Sequence, residues 1–286
     1  MAERFKSDPP ELLNPSGGFV SHGGGVLKVR EILEKINLTA PFALAEEWDN
    51  SGLMVGDPEG EVRRLALTLD PLPEALEEAR RGGCQALLSH HPLFFHPVRK
   101  IDFSVTEGKV VQMAALAGMA VLSAHTNWDS AEEGVSRVLA EKMKLVSVAP
   151  LQPSSRGTGG MGAVGNLPAA APVTEVLERL KSAWNLSRLD YYGPTDCSIL
   201  RTALCGGSGG SLWPAALSVK ADLYVTADMK YHDIVDCVRA RLPVAVIDHG
   251  EMESGTLAEL ARYLSVPGEL EVVLLNYRAL AAPLRL

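Results

Sequence analysis

Apolar positions fall in short runs along the chain, separated by polar breaks or by Gly and Pro, and the runs alternate between two periods. VLKVREILEKI (26–36) carries Val, Leu and Ile at the three-and-four spacing of an amphipathic helix. RLALTLD (64–70) is a nearly continuous apolar run that ends on Asp70, and CQALLSHH (84–91) is another that ends on two histidines. Between them, PLPEALEEARRGG (71–83) opens with proline and closes on two glycines, the marks of a helix bounded at both ends. Strand, helix, strand in that order predicts a parallel sheet.

The alternation continues downstream. Helical spacing predicts helices over 109–120, 132–143, 173–184 and 255–264, and apolar runs predict strands over 121–129, 199–204 and 269–277. The strand at 121–129, VLSAHTNWD, runs into a polar turn. DLYVTAD (222–228), a helix over 230–242 and PVAVIDHG (243–250) repeat the plan of 64–91. His90 lies 20 positions after Asp70, and His249 lies 21 after Asp228. The echo predicts an α/β fold of two similar lobes built from duplicated strand–helix–strand units. The expected division is 26–125 plus 245–286 for the first lobe and 126–244 for the second. Two stretches read as irregular. WDNSGLMVGD (48–57) has Asp-Asn-Ser-Gly turn chemistry, and the Pro/Ser/Gly/Ala-rich stretch over about 150–170 reads as a boundary or connecting segment. Residues 1–25, charged and then rich in Pro, Gly and Ser, read as a flexible extension, with His22 a solvated loop residue.

Composition narrows the class. In 286 residues, 47% are hydrophobic and 22% charged, which suits a protein with a sizeable core. The net charge is −8 and no Lys/Arg block stands out, so a nucleic-acid backbone is disfavoured as partner and divalent cations are compatible. The four cysteines form no CxxC pair, so they read as buried reduced thiols. No apolar run reaches the roughly 18 residues of a membrane span, and the first residues lack the apolar stretch of a signal peptide. The expectation is a cytoplasmic protein without a membrane partner.

The chemistry concentrates at strand ends, where parallel sheets place their sites. ALLS is followed by His90 and His91, VLSA by His125 and then Asp129, and AVID by His249 and then Glu253. Imidazole nitrogen with carboxylate oxygen is a ligand set for zinc, iron, manganese, cobalt or nickel. His249 and Glu253 are four apart and share a helix face if the helix starts near His249. Adjacent residues of a regular strand point to opposite sides, so His90 and His91 suit two metals rather than one, with Glu253 able to bridge them. His96 and His232 read as surface residues. Other positions keep two readings. Trp48, Asp49 and Asn50 either line the pocket or make a turn with a packing Trp. Gly206, Gly207, Ser208 and Gly209 either cradle a phosphate through backbone N–H groups ahead of a helix over 211–219 or simply permit a tight turn. Asp70 and Asp228 either orient histidines or accept protons, or they cap helices.

In this order, EEWDNSGLMVGDP, LTLD, LLSHHPLFF, AHTNWD, CGGSGGS, TADMKYH and DHGEMESG resemble the NGG1-interacting-factor-three-like (Nif3-like) family. Its members carry the name GTP cyclohydrolase I type 2 homologue, and the resemblance covers roughly 26–286. It implies a two-lobed α/β fold, two divalent metal ions per chain and a homo-oligomer, a toroidal hexamer with its metal sites facing an internal cavity. It matches His90, His91, Asp129, His249 and Glu253 to the family's ligands and places His125 beside the metals. The chain reads Thr226-Ala227-Asp228 for the family's TGD-like triplet and HTNWD for HTNLD, and neither change removes a ligand. The short 150–170 segment leaves no room for the inserted middle domain of some members. Three functions fit: a metal-dependent hydrolase of a nucleotide or phosphoester-type molecule with His125 as catalytic proton carrier, a metal storage or delivery protein without turnover, and a hexameric scaffold stabilised by metal.

Overall fold

The structure, a computed structural model, describes residues 25–275. The expected extension over 1–25, all but its last residue, and the end of the last predicted strand lie outside the described residues. In chain order the elements are β1 (Leu27–Lys28), α1 (Val29–Thr39), β2 (Gly52–Val55), β3 (Glu61–Val62), β4 (Arg64–Thr68), α2 (Pro73–Arg81), β5 (Ala86–Ser89), α3 (Thr106–Ala117), β6 (Ala120–Ser123), α4 (Thr126–Asp129) and α5 (Val135–Lys142). They continue with β7 (Val146–Pro153), β8 (Gly160–Pro172), α6 (Val173–Ala183), β9 (Leu189–Tyr192), β10 (Ser198–Leu204), α7 (Trp213–Ser218), β11 (Leu223–Ala227), α8 (Tyr231–Arg239), β12 (Val244–Ile247), α9 (His249–Ser254), α10 (Leu257–Leu264) and β13 (Glu271–Leu274).

Two mixed sheets carry the α/β fold. One has strand order β13-β4-β5-β6-β2 and the other β7-β8-β10-β11-β12-β9. In each, the central strands are parallel: β4 with β5 and β6, and β10 with β11 and β12. These strands read as unbroken apolar runs because both of their faces are covered. Leu65, Leu67, Leu88 and Leu122 of the first sheet share one core with Leu204, Val225 and Ala245 of the second. Leu67 and Leu88 have no exposed surface, so truncating either to Ala removes about 2–5 kcal/mol. On the far face of the first sheet, Ala66, Leu87 and Val121 pack with Leu76 and Ala79 of α2 and Val110 and Ala114 of α3. Ala203, Tyr224 and Val244 do the same on the far face of the second, with Ala216 of α7 and Cys237 of α8.

Three expectations are corrected. Within 48–57, Gly52–Val55 is an edge strand paired antiparallel to β6, because its apolar half supplies a strand that the preceding turn residues obscure. The 150–170 stretch is no connector: β7 and β8 form an antiparallel hairpin at the edge of the second sheet. Its small residues follow from close backbone approach; a side chain on Gly160 would lie 2.2 Å from the Gln152 carbonyl oxygen. β12 hydrogen-bonds to β11 through Ile247, so a boundary at 244/245 cuts a strand of the second sheet. Strand β9, which pairs with β12, has no counterpart among the predicted elements.

Candidate metal centre

The carboxyl ends of β5, β6 and β12 converge. Beyond Ser89, the His90 and His91 amides donate to Thr68 and Leu69 carbonyls, which carries the histidines past the end of β5 while still tied to β4. The regular strand has ended there, so the two rings are not held on opposite faces. Their centroids lie 5.2 Å apart, and His91 sits 5.3 Å from His249. After β6 the expected polar turn closes as the single helical turn α4, which presents Asp129 inward. After β12, Asp248 caps α9 by accepting from the Glu251 amide, so the helix starts at His249 and brings Glu253 round onto the same face.

Glu253 is the hub. Its Oε2 lies 2.9 Å from His249 Nε2, 3.0 Å from His91 Nε2 and 3.6 Å from His90 Nε2, and His90 Nε2 lies 3.5 Å from Asp129 Oδ1. The side chain of Glu253 is 3% exposed and that of His90 1%. Each imidazole is held from behind through Nδ1. His91 faces Asp70 Oδ1 at 2.7 Å, His249 faces Asp228 Oδ2 at 2.6 Å, His125 faces Asp49 Oδ1 at 2.7 Å and His90 faces the Ala124 carbonyl at 3.0 Å. A carboxylate or carbonyl oxygen can only accept, so each Nδ1–H donates and each Nε2 points into the common space. Histidine ligands of metals are oriented in this way.

The inner atoms are short of partners. His90 Nε2, Asp129 Oδ1, His249 Nε2 and Glu253 Oε2 are buried without a hydrogen bond of acceptable geometry, although three imidazoles stand close to Glu253. An unsatisfied buried polar atom costs about 1–3 kcal/mol, so four together call for an occupant. Nitrogen and oxygen donors at this spacing fit divalent cations. Three groupings bring their donor atoms within 4.8 Å of one another: His91, His249 and Glu253; His90, Asp129 and Glu253; and His90, His91 and His125. The first two share Glu253.

Protonation follows from the crowding. Burial works against charged His91, yet its hydrogen bond to Asp70 and the close Glu253 carboxylate outweigh burial and raise its pKa to about 10. For His249, burial is likewise outweighed by Glu253 and Asp228, and its pKa rises to about 9. Burial pushes the Asp129 carboxyl up, whereas the imidazoles hold Glu253 well below the usual carboxylate range despite its burial. The raised imidazole pKa values act against cation binding, which needs the inward Nε2 atoms free of protons.

The remaining sequence-marked residues separate. Asp49 has no exposed side-chain surface. Its carboxylate accepts from His125, from the Thr126 amide and hydroxyl and from Ser51 Oγ. That leaves it turned toward His125 and away from open solvent, and its pKa is held well below the usual range against its own burial. Trp48, 58% exposed, stands edge-on to His125 at 5.9 Å. In the glycine loop, the Gly206 amide donates to Ser136 Oγ and the Gly209 amide to Thr226 Oγ1 and the Gly207 carbonyl, so two of the expected phosphate donors are engaged internally. Gly207, at φ +63°, has a different reason to be glycine: a side chain there would lie 2.1 Å from Glu253 Oε1. Ser208 Oγ donates to Asp228 Oδ2 at 2.6 Å. Of the two readings of Asp70 and Asp228, orientation of histidines matches their contacts. Asp70 serves His91, so the acid–histidine separation is 21 residues on both sheets. Phe95, which sequence reasoning missed, stands 5.7 Å from His125 and 6.4 Å from His91.

Comparison with known proteins gives a consistent picture. The sequence profile of the Duf34/NIF3 (NGG1p interacting factor 3) family matches residues 27–279. A protein of Lactococcus lactis named GTP cyclohydrolase 1 type 2 homolog is 33% identical over 219 residues, covering 76% of this chain and 83% of that protein. NIF3-like protein 1 of Drosophila melanogaster is 27% identical over 244 residues, covering 83% of this chain and 82% of its own. Among solved structures, a Bacillus cereus protein related to NIF3 superposes with TM-score 0.84 at 20% identity over 89% of this chain and 98% of that one, a likeness of fold. Reduced HcgD from Methanocaldococcus jannaschii superposes with TM-score 0.76 at 29% identity over 88% of this chain and 99% of that one.

Proposed function

This chain belongs to the Duf34/NIF3 family, and from that premise we propose that it is a metal-dependent hydrolase holding two divalent cations in the cluster around Glu253. The carrying observation is the arrangement of donors: two groupings share the Glu253 carboxylate, and each histidine in them is fixed through Nδ1 with Nε2 turned inward. In this reading His91, His249 and Glu253 would hold one cation, and His90, Asp129 and Glu253 would hold the other. A bound pair of divalent cations supplies Lewis acidity and makes water acidic enough to act as nucleophile near neutral pH. Zinc, iron, manganese, cobalt and nickel all suit the donor set.

The chain's own residues do the rest. Asp49 is ionised and accepts the His125 Nδ1 proton, which leaves His125 Nε2 as a proton acceptor at the edge of the cluster. Asp70 and Asp228 keep His91 and His249 oriented. The name GTP cyclohydrolase 1 type 2 homolog carried by the Lactococcus protein supports a nucleotide or phosphoester-type substrate. The reading includes a homo-oligomer, a toroidal hexamer, working in the cytoplasm. Among the described residues no helix is long and apolar enough to cross a membrane.

The test is metal per chain by elemental analysis, on protein purified without added metal or an affinity tag, beside Glu253→Ala. Close to two metals per chain, lost in the variant, together with hydrolysis abolished by chelator and restored by one metal, is the expected result. Two retained metals with no turnover on nucleotides or phosphoesters would move the protein to metal storage or delivery. Equal metal in both proteins would overturn the site.

A further inference from the structure

The rim of the centre is aromatic. Trp48 and Phe95 are 58% and 46% exposed, an unusual state for large rings beside a cluster that is itself buried. They come from different loops and meet the same imidazole. Trp48 stands at 73° to His125, and Phe95 at 88°. The loops are tied together: Asn50 Nδ2 donates to the Phe94 carbonyl at 2.8 Å. Trp48 is anchored on both sides, by the Glu46 amide on Thr126 Oγ1 and by the buried Asp49 carboxylate. Little further ordering is needed for a ligand to use these rings.

We infer that Trp48 and Phe95 form a binding subsite for a planar aromatic ring of the substrate, a nucleobase or a heterocycle of similar size, held over His125 at the mouth of the centre. The inference rests on the proposed metal centre for the substrate's reacting end, and names the class of its other end. Exposed aromatic side chains at the edge of the site suit a flat π-system better than an aliphatic chain. Ring against ring gains contact energy beyond the area covered, whereas an alkyl group gains area alone. The preference tolerates different bases, since every base has a π-face.

The experiment compares two probes on the purified full chain by calorimetry: guanosine 5′-monophosphate and ribose 5-phosphate, which share sugar and phosphate and differ by the ring. The wild type is expected to bind the nucleotide about tenfold more tightly, the factor set by ~1.4 kcal/mol of stacking. The ratio should collapse toward one in Trp48→Ala and in Phe95→Ala and persist in Trp48→Phe, with metal content unchanged in all three. Equal affinities in the wild type, no binding of either probe, or a ratio that survives both alanine variants would overturn the subsite. A change of assembly size in Trp48→Ala with the ratio intact would assign the aromatic rim to a second copy of the chain and overturn it too. Metal content read on the same samples separates the two claims. Two metals without ring preference would leave the centre standing and remove the subsite. Ring preference without metal would do the reverse.

Discussion

The two halves of the centre are built to one plan and solvated differently. On the first sheet, Asp70 at the end of β4 holds His91 beyond β5; on the second, Asp228 at the end of β11 holds His249 beyond β12. The separation is 21 residues in each case, and the contacts are 2.7 and 2.6 Å. Yet the side chains of His91 and Asp70 are 16% and 32% exposed, against 29% and 54% for His249 and Asp228. Asp228 also adopts a left-handed φ of +50° and takes a hydroxyl from Ser208. Asp tolerates that conformation better than most residues because its side chain bonds locally. The same acid–imidazole pair is thus set by burial in one half and by a shaped, more open loop in the other. Burial raises the cost of leaving an imidazole without its partner, so the first half has more to lose.

The largest effect should come from the group both halves share. Glu253→Gln keeps the shape and removes the charge, and is expected to cut both metals together. His91→Ala and His249→Ala should each remove the one cation that both would hold. Elemental analysis of the three variants reads this directly, and one metal retained in Glu253→Gln would mean that the two cations do not depend on a common carboxylate. Next in size is the pair Asp70→Asn and Asp228→Asn. Loss of a carboxylate behind a ligand histidine typically costs 10–100-fold in metal affinity. The upper end is expected for Asp70 and the lower for Asp228, by competition with a chromophoric chelator. The reverse order would break the burial argument.

Much of this centre was legible in the chain because its parts are local. Apolar runs that stop at His90, His125 and His249 mark strand ends, and the four-residue step from His249 to Glu253 marks one helix face. The acid–histidine echo was also visible, although only the fold shows that His91, not His90, turns back toward Asp70. What escaped was set by distant contact. Asp49 meets His125 across 76 positions, and nothing in WDNS distinguishes a buried carboxylate from a turn residue. Phe95 reads as one more apolar residue in LFFH until the fold sets it beside two imidazoles. The β7–β8 hairpin was hidden by its composition, since Gly, Ala and Pro are poor strand formers and earn their places there through close backbone approach.

Proton exchange sharpens the comparison on a smaller scale. Cation binding requires neutral imidazoles, so metal-free His91 and His249, with pKa values raised to about 10 and about 9, must release protons at neutral pH. Metal affinity should therefore rise as pH rises from 6 toward 9. Proton release, read by calorimetry in buffers of different ionisation enthalpy, should fall in both His91→Ala and His249→Ala, because each loses the cation whose binding displaces these protons. Flat affinity across that range would mean the histidines are already neutral in the free protein.

The smallest expected change isolates what is peculiar to the second half. Ser208→Ala removes the hydroxyl that donates to Asp228 Oδ2 at 2.6 Å and leaves Asp228 on His249. A single exposed hydrogen bond contributes about 0.5–1.5 kcal/mol, so affinity at one of the two metals should fall several-fold while the other is unchanged. Asp70 has no hydroxyl of this kind among its side-chain contacts, since its carboxylate meets His91 alone in the hydrogen-bond network of the described residues. A biphasic metal titration in which only one phase moves would place Ser208 as the device by which an exposed carboxylate is steadied for its histidine. Movement of both phases would instead mean that the glycine loop acts through Glu253, against which Gly207 is packed, and that the halves communicate through the bridge.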